Sequence, residues 1–202
     1  MNQSFFSLPT EKKDRILNAG YKTFAAHAYG KASMAFMADE AQISKALLFY
    51  YFRNKKELYL YLFRSAADFL RSTRKAVAAG ESQDFFEAIK AESRERILMM
   101  RRYPYIFSFI ARAYYEEDEE VKTELGKLKD SMLQSKKENE LSRIDQCKFR
   151  NPEDMEVLYD IIIYMSEGYM AKNMNMLYKK PEQILRDSEK MLDVLKKNFY
   201  HL

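Results

Sequence analysis

The chain has 202 residues, 47% of them hydrophobic and 32% charged, a balance that suits one or two globular domains with a sizeable core and excludes a disordered tail. Five glycines and four prolines stand where average usage of roughly 12% would give about 24, which excludes a many-stranded β protein and Gly-rich nucleotide loops. The net charge of +4 is concentrated: residues 1–60 hold 9 Lys/Arg against 5 Asp/Glu and the remainder holds 25 against 25, as for a small basic module joined to a neutral body.

Between its sparse glycines and prolines the chain has helical periodicity throughout. The first helix opens after Pro9, with Thr10 as N-cap and Glu11 and Asp14 near the positive end of the helix dipole. Ile16, Gly20 and Phe24 share one face, and Tyr29 and Gly30 end the segment. Ser33 caps a short second helix, Met34 to about Ala41, and a third starts at Ser44. Asn54 and Glu57 form a capping box for a helix running towards Ala79, with Leu58, Leu62, Ala66 and Phe69 on one stripe. Further helices are predicted over residues 84–102, 104–115, 118–139, 152–178 and 181–200, three of them with Pro in the first turn and Asn151 as an N-cap before Pro152. The acidic run Glu116 to Glu120 reads as a solvated connection. The fold class is therefore all-α.

The chemistry lies in residues 33–52, SMAFMADEAQISKALLFYYF. Two short helices joined by Ala41, Gln42 and Ile43 make a corner too tight for anything but a helix–turn–helix. In such a unit the second helix lies in the DNA major groove and the first crosses the backbone. Ser44 and Lys45 stand at the start of that second helix; Tyr50, Tyr51, Lys55 and Lys56 bring hydroxyls and charge that suit phosphates. The spacing predicts Leu48 and Phe52 inward, against Ile16, Phe24 and Met37, and Leu47, Tyr50 and Tyr51 outward, with Leu47 suited to thymine methyl groups.

The stretch from Ile16 to Leu58, above all ISKALLFYYFRNKKEL, resembles the DNA-binding region of the TetR/AcrR family of bacterial transcriptional regulators. The resemblance implies a three-helix N-terminal domain over residues 1–54, then an effector-binding and dimerisation domain over 55–202 with the helix 55–79 as linker, about nine helices in all. It also implies a cytoplasmic repressor that binds an inverted-repeat DNA operator as a homodimer. Ser33 and Ser44 would touch phosphate; Lys45, Ala46, Leu47 and Phe49 would approach bases; Tyr50, Tyr51 and Lys55 would bind the DNA backbone. Two departures stand out: the family often has Gly at the positions of Ala46 and Gln42.

In the C-terminal body, residues 152–178 carry an apolar arc wider than one core-facing stripe, which needs burial on two sides. Read with the resemblance, Leu158, Ile162, Met165, Gly168, Ile184, Met191 and Leu195 form the dimer interface. Soft and aromatic residues are dense between Phe69 and Tyr114, and Phe107, Ile110 and Tyr114 share a face. The resemblance makes Phe69, Ile97, Met100, Tyr103, Phe107, Ile110, Tyr114, Met165 and Tyr169 the lining of a site for a small apolar or aromatic effector, with Arg101, Arg102 and Arg112 available to an anionic group.

Nothing in the sequence points to catalysis, a metal or a cofactor. His27 and His201 lie far apart, and Cys147 has no histidine near it in sequence and no disulfide partner within the chain. The opening MNQSFFSLPTEKKDR lacks the basic and apolar pattern of a signal peptide, and no apolar run approaches the roughly 18 residues of a membrane span. A soluble, cytoplasmic protein with no membrane partner is expected.

Overall fold

A computed structural model describes residues 2–78, 84–141, 144–173 and 176–201. Among the described residues it contains ten α-helices: α1 Thr10–Ala26, α2 Met34–Glu40, α3 Lys45–Tyr51, α4 Lys55–Ala78, α5 Phe85–Arg102, α6 Ile106–Tyr114, α7 Lys122–Leu141, α8 Asp154–Lys172, α9 Met176–Lys179 and α10 Pro181–Phe199. The expected all-α class holds, with one isolated β-bridge among the described residues, between Phe149 and Tyr200. No helix among the described residues is long and apolar enough to cross a membrane.

Several boundaries differ from the sequence reading for local reasons. Only Pro181 sits in a first helical turn; Pro104 and Pro152 lie in the turns before α6 and α8. Pro9, not Thr10, occupies the N-cap position of α1. Asn151 donates its side-chain N–H to Asp154 and does not cap α8, whose N-cap is Glu153. The helix expected over 152–178 ends at Lys172, where Asn173 takes the C-cap position and its side-chain N–H folds back onto the Tyr169 carbonyl, which also accepts the Asn173 backbone N–H.

The chain packs into two compact units, Met1–Asp68 with Met99–Lys129, and Phe69–Leu98 with Asp130–Leu202. This division cuts through α4, α5 and α7 and differs from the boundary at residue 54 drawn for a DNA-binding head. In the first unit the predicted face of α1, Ile16, Gly20 and Phe24, is buried. A Cβ on Gly20 would lie 2.6 Å from Leu62 Cδ1, so glycine there lets α1 approach α4. Around this contact Phe24, Tyr59 and Phe109 meet edge-on or tilted, with Phe24 and Tyr59 centroids 4.7 Å apart and Tyr59 and Phe109 5.3 Å apart. Such pairs each contribute about 0.5–1.5 kcal/mol beyond the area they bury.

The core of the second unit gathers Phe85, Phe86, Phe149, Met155, Leu158, Tyr159, Ile162, Leu192 and Tyr200. There α5 is capped by Asp84, the residue before it, whose Oδ1 accepts the N–H groups of Phe86 and Glu87 at 3.0 and 3.1 Å. Buried Leu158 and Ile162 are one turn apart on α8, and this is the face that turns inward. The apolar residues Val157, Ile161 and Tyr164 occupy the flanking face and are exposed.

Candidate nucleic-acid interface

The second and third helices are capped as their sequence predicts. Ser33 Oγ accepts the Phe36 N–H at 3.4 Å and Ser44 Oγ accepts the Leu47 N–H at 3.1 Å, each satisfying a donor that a helix start leaves open. The corner between them is a Schellman turn: the Ile43 N–H donates to Ala38 O and the Gln42 N–H to Asp39 O, both at 3.0 Å. Gln42 takes φ 56° to make it, the left-handed conformation for which glycine is preferred.

The outward face of α3 differs from the expected one. Lys45, Ala46, Phe49 and Tyr50 are exposed, Leu47 is half-buried, and Tyr51 is 4% exposed. The sequence places Tyr51 outward with Tyr50; in the structure it packs 5.8 Å from Phe5. Leu48 and Phe52 are buried as predicted. Lys45 Nζ lies 5.9 Å from the centroid of Phe49, four residues on, and Ser33, Ser44 and Phe36 are exposed beside these residues.

The lysines that open α4 are held by the protein. Lys55 Nζ donates to the Tyr29 carbonyl at 2.8 Å, with the Gly30 carbonyl at 3.3 Å, and sits 4.4 Å from the Tyr29 ring centroid. Lys56 pairs with Glu124 at 2.6 Å. Half of the predicted capping box is as expected, the Glu57 N–H donating to Asn54 Oδ1 at 2.8 Å, while Glu57 Oε2 reaches one residue further back and accepts the Arg53 N–H at 2.8 Å. The acidic connection after α6 is not merely solvated. Glu116 accepts the Tyr29 N–H through Oε2 at 2.8 Å and the Asp118 N–H through Oε1 at 3.1 Å.

Sequence reasoning missed the segment ahead of α1. Phe5 is fully buried among Tyr51, Phe52 and Tyr61, and the Asn2 N–H donates to the Tyr51 carbonyl at 3.0 Å. The segment thereby fastens the C-terminal end of α3. The paired phenylalanines Phe5 and Phe6 were the available signal.

The residues expected around an effector occur in both units. In the first, Met100, Tyr103, Phe107 and Ile110 are buried. Tyr103 packs 5.7 Å from Tyr21 and donates its hydroxyl to Asp14, while Lys129 Nζ lies 5.2 Å from the ring centroid of half-buried Tyr114. In the second unit Phe69, Met165 and Tyr169 are half-buried, and Tyr169 donates to Asp187 at 2.7 Å. Ile97 lies outside the described side chains. Two of the arginines expected near an anionic ligand have internal roles: Arg102 makes a forked pair with Asp14, and Arg112 Nε donates to Ala25 O at 2.9 Å at the end of α1. Arg101 is exposed.

Of the residues expected at a dimer interface, Leu158, Ile162 and Ile184 are buried, and Met165, Met191 and Leu195 are half-buried. Gly168 is exposed, and a Cβ there would meet nothing within 4 Å.

Residues 16–62, which span this helix–turn–helix, match the model of the bacterial regulatory proteins of the tetR family. No curated protein matches the chain significantly. Among solved structures, a TetR family transcriptional regulator from Chloroflexus aurantiacus J-10-FL aligns over 100% of this chain and 99% of its own, with TM-score 0.62 and 16% identity. A TetR-like transcriptional regulator from Rhodococcus sp. RHA1 aligns over 94% and 96%, with TM-score 0.64 and 15% identity. The fatty acid degradation regulator FadR from Bacillus halodurans aligns over 92% and 95%, with TM-score 0.56 and 17% identity. The TM-scores and coverage establish a shared fold, and the family model adds a match over the segment that holds the helix–turn–helix. Residues 16–62 thus carry the likeness to the tetR family of bacterial regulatory proteins, and the fold of solved TetR-type regulators extends over the rest of the chain.

Proposed function

We propose that the protein is a homodimeric transcriptional repressor that reads an inverted-repeat operator with α3 of each protomer and is released by a small, mainly apolar effector. The observation that carries the reading is the outward face of α3, where Lys45, Ala46, Phe49 and Tyr50 stand exposed on a capped helix–turn–helix. A folded domain has little reason to present two aromatic rings and a lysine together to water, whereas a groove-facing helix uses them.

The dimer is carried by a second observation. On α8, Val157, Ile161, Tyr164 and Gly168 follow one another at spacings of four, three and four, all exposed, and Val194 on α10 is exposed too. This spacing makes a continuous apolar stripe, and a two-fold partner presenting the same stripe would cover it. We therefore assign the interface to this outer face, with Met165, Met191 and Leu195 at its margins and Leu158, Ile162 and Ile184 supporting it from within the protomer.

An effector releases DNA only if it binds the released conformation better than the bound one. Fatty acids are reasonable first probes, given the name of the Bacillus halodurans neighbour. At 100 times its dissociation constant an effector adds about 2.7 kcal/mol of stability, which a thermal-shift screen of apolar and aromatic compounds detects.

The test of the DNA-binding reading is selection from a random duplex library at near-physiological salt, followed by sequencing. The expected result is an enriched inverted repeat whose half-sites lie about 34–36 Å apart or a multiple of it. A folded, dimeric protein that enriches no sequence overturns the reading.

A further inference from the structure

The exposed arc of α3 is unusual in the chemistry it lacks. At 100° per residue Lys45, Phe49, Ala46 and Tyr50 follow one another around about 140° of the helix, and these are the residues found exposed. They supply an ammonium, a phenyl ring, a methyl group and a phenol. The helix KALLFYY contains no Asn, Gln or Arg, the side chains that make two-point hydrogen bonds to adenine or guanine. Its largest groups are apolar or aromatic, and they gain most from an apolar partner in the groove. The major groove offers one such group, the C5 methyl of thymine.

We propose that α3 reads its operator chiefly through thymine methyl groups packed against Phe49 and Ala46, with Lys45 adding a guanine contact beside them. The inference rests on the DNA-binding reading above and names what that face recognises. Lys45 Nζ lies 5.9 Å from the Phe49 centroid, so the one strong donor and the main apolar surface are neighbours and address adjacent base pairs. Guanine O6 and N7 are the acceptors that suit a lysine there. The half-site is therefore one in which a guanine adjoins thymine.

The experiment uses the operator recovered by selection, synthesised with thymine or with deoxyuridine at the α3-facing positions. Uracil pairs as thymine does and lacks only the methyl. With a burial value of about 0.8 kcal/mol per carbon, each missing methyl should weaken binding about fourfold, and the symmetric change in both half-sites roughly fifteenfold. Phe49→Ala should cut the uracil penalty by at least half on a logarithmic scale, leaving only what Ala46 contributes, and Phe49→Leu should retain the preference for thymine. Equal wild-type affinity for both operators overturns the proposal while leaving the DNA-binding reading standing, as does a uracil penalty that persists undiminished in Phe49→Ala. Selection that enriches no repeat overturns both.

Discussion

The Tyr29 N–H donates to Glu116 Oε2 at 2.8 Å, and the carbonyl of the same tyrosine accepts from Lys55 Nζ at 2.8 Å. One peptide segment between α1 and α2 is thus held by the connection after α6 and by the first residue of α4. By family resemblance Lys55 is a DNA-backbone contact; its geometry favours a positioning role. Lys55→Ala should lower unfolding stability by about 1.5–3 kcal/mol, the range for hydrogen bonds to a charged group. Each direct phosphate contact adds about 0.9 to the slope of log affinity against log salt. Removing a positioning lysine leaves that slope unchanged, whereas removing a phosphate-binding lysine from both protomers of a dimer reduces it by about 1.8. Titrations of operator binding at several salt concentrations separate the roles.

Gln42 bears the backbone cost of the corner. At φ 56° its Cβ crowds the following carbonyl, a strain that glycine avoids. Gln42→Gly should raise stability by about 1 kcal/mol, read from urea unfolding, with operator affinity little changed because the Schellman hydrogen bonds are made by backbone. A variant no more stable than the parent would mean that the Gln42 side chain makes a compensating contribution.

The sequence revealed the helices and the corner because those rest on local signals: Ser33 and Ser44 before apolar runs, Asn54 and Glu57 three apart, and the short Ala41 to Ile43 link. It revealed less about direction. With apolar residues at six successive positions from Leu47 to Phe52, periodicity alone does not identify the buried arc. That choice depends on Phe5, distant in sequence, which covers Tyr51. The same difficulty arises on α8, where Leu158 and Ile162 compete with Val157 and Ile161 for the core, and packing with Phe85, Phe86 and Phe149 decides in favour of the first pair. Glu116 could not be distinguished from its acidic neighbours, because its partner is a backbone N–H 87 residues away.

That division of α8 predicts opposite phenotypes for neighbouring positions. Tyr164, 70% exposed, and Ile161, 41% exposed, can accept charge without disturbing the protomer core. Ile161→Asp with Tyr164→Asp should give a folded monomer by sedimentation, with helicity retained. Leu158→Ala, in a fully buried position, should instead cost about 2–5 kcal/mol of protomer stability. A double variant that stays dimeric removes this face from the interface.

Asp84 links the stability of the second unit to pH. Burial alone would raise its carboxyl pKa, but the Glu87 N–H and the charges of Lys196 and Lys148 outweigh burial and hold it below its ordinary range. Lys196 Nζ, 2.9 Å from Glu87, likewise leads the groups that lower the Glu87 carboxyl. Carboxyls with folded values below their unfolded values stabilise fully above the unfolded value, near pH 4, and lose that contribution as pH falls through the folded value. Unfolding free energy should therefore fall below about pH 4 as these groups take up protons. Asp84→Asn retains an oxygen to cap α5 and removes the charge, so its stability should depend less steeply on pH there than that of the parent. Asp84→Ala also removes the cap and should lose about 1 kcal/mol more at neutral pH. Urea unfolding of the three proteins between about pH 3 and pH 7 tests the assignment, and parallel curves for Asp84→Asn and the parent would exclude Asp84 as a source of the acid sensitivity.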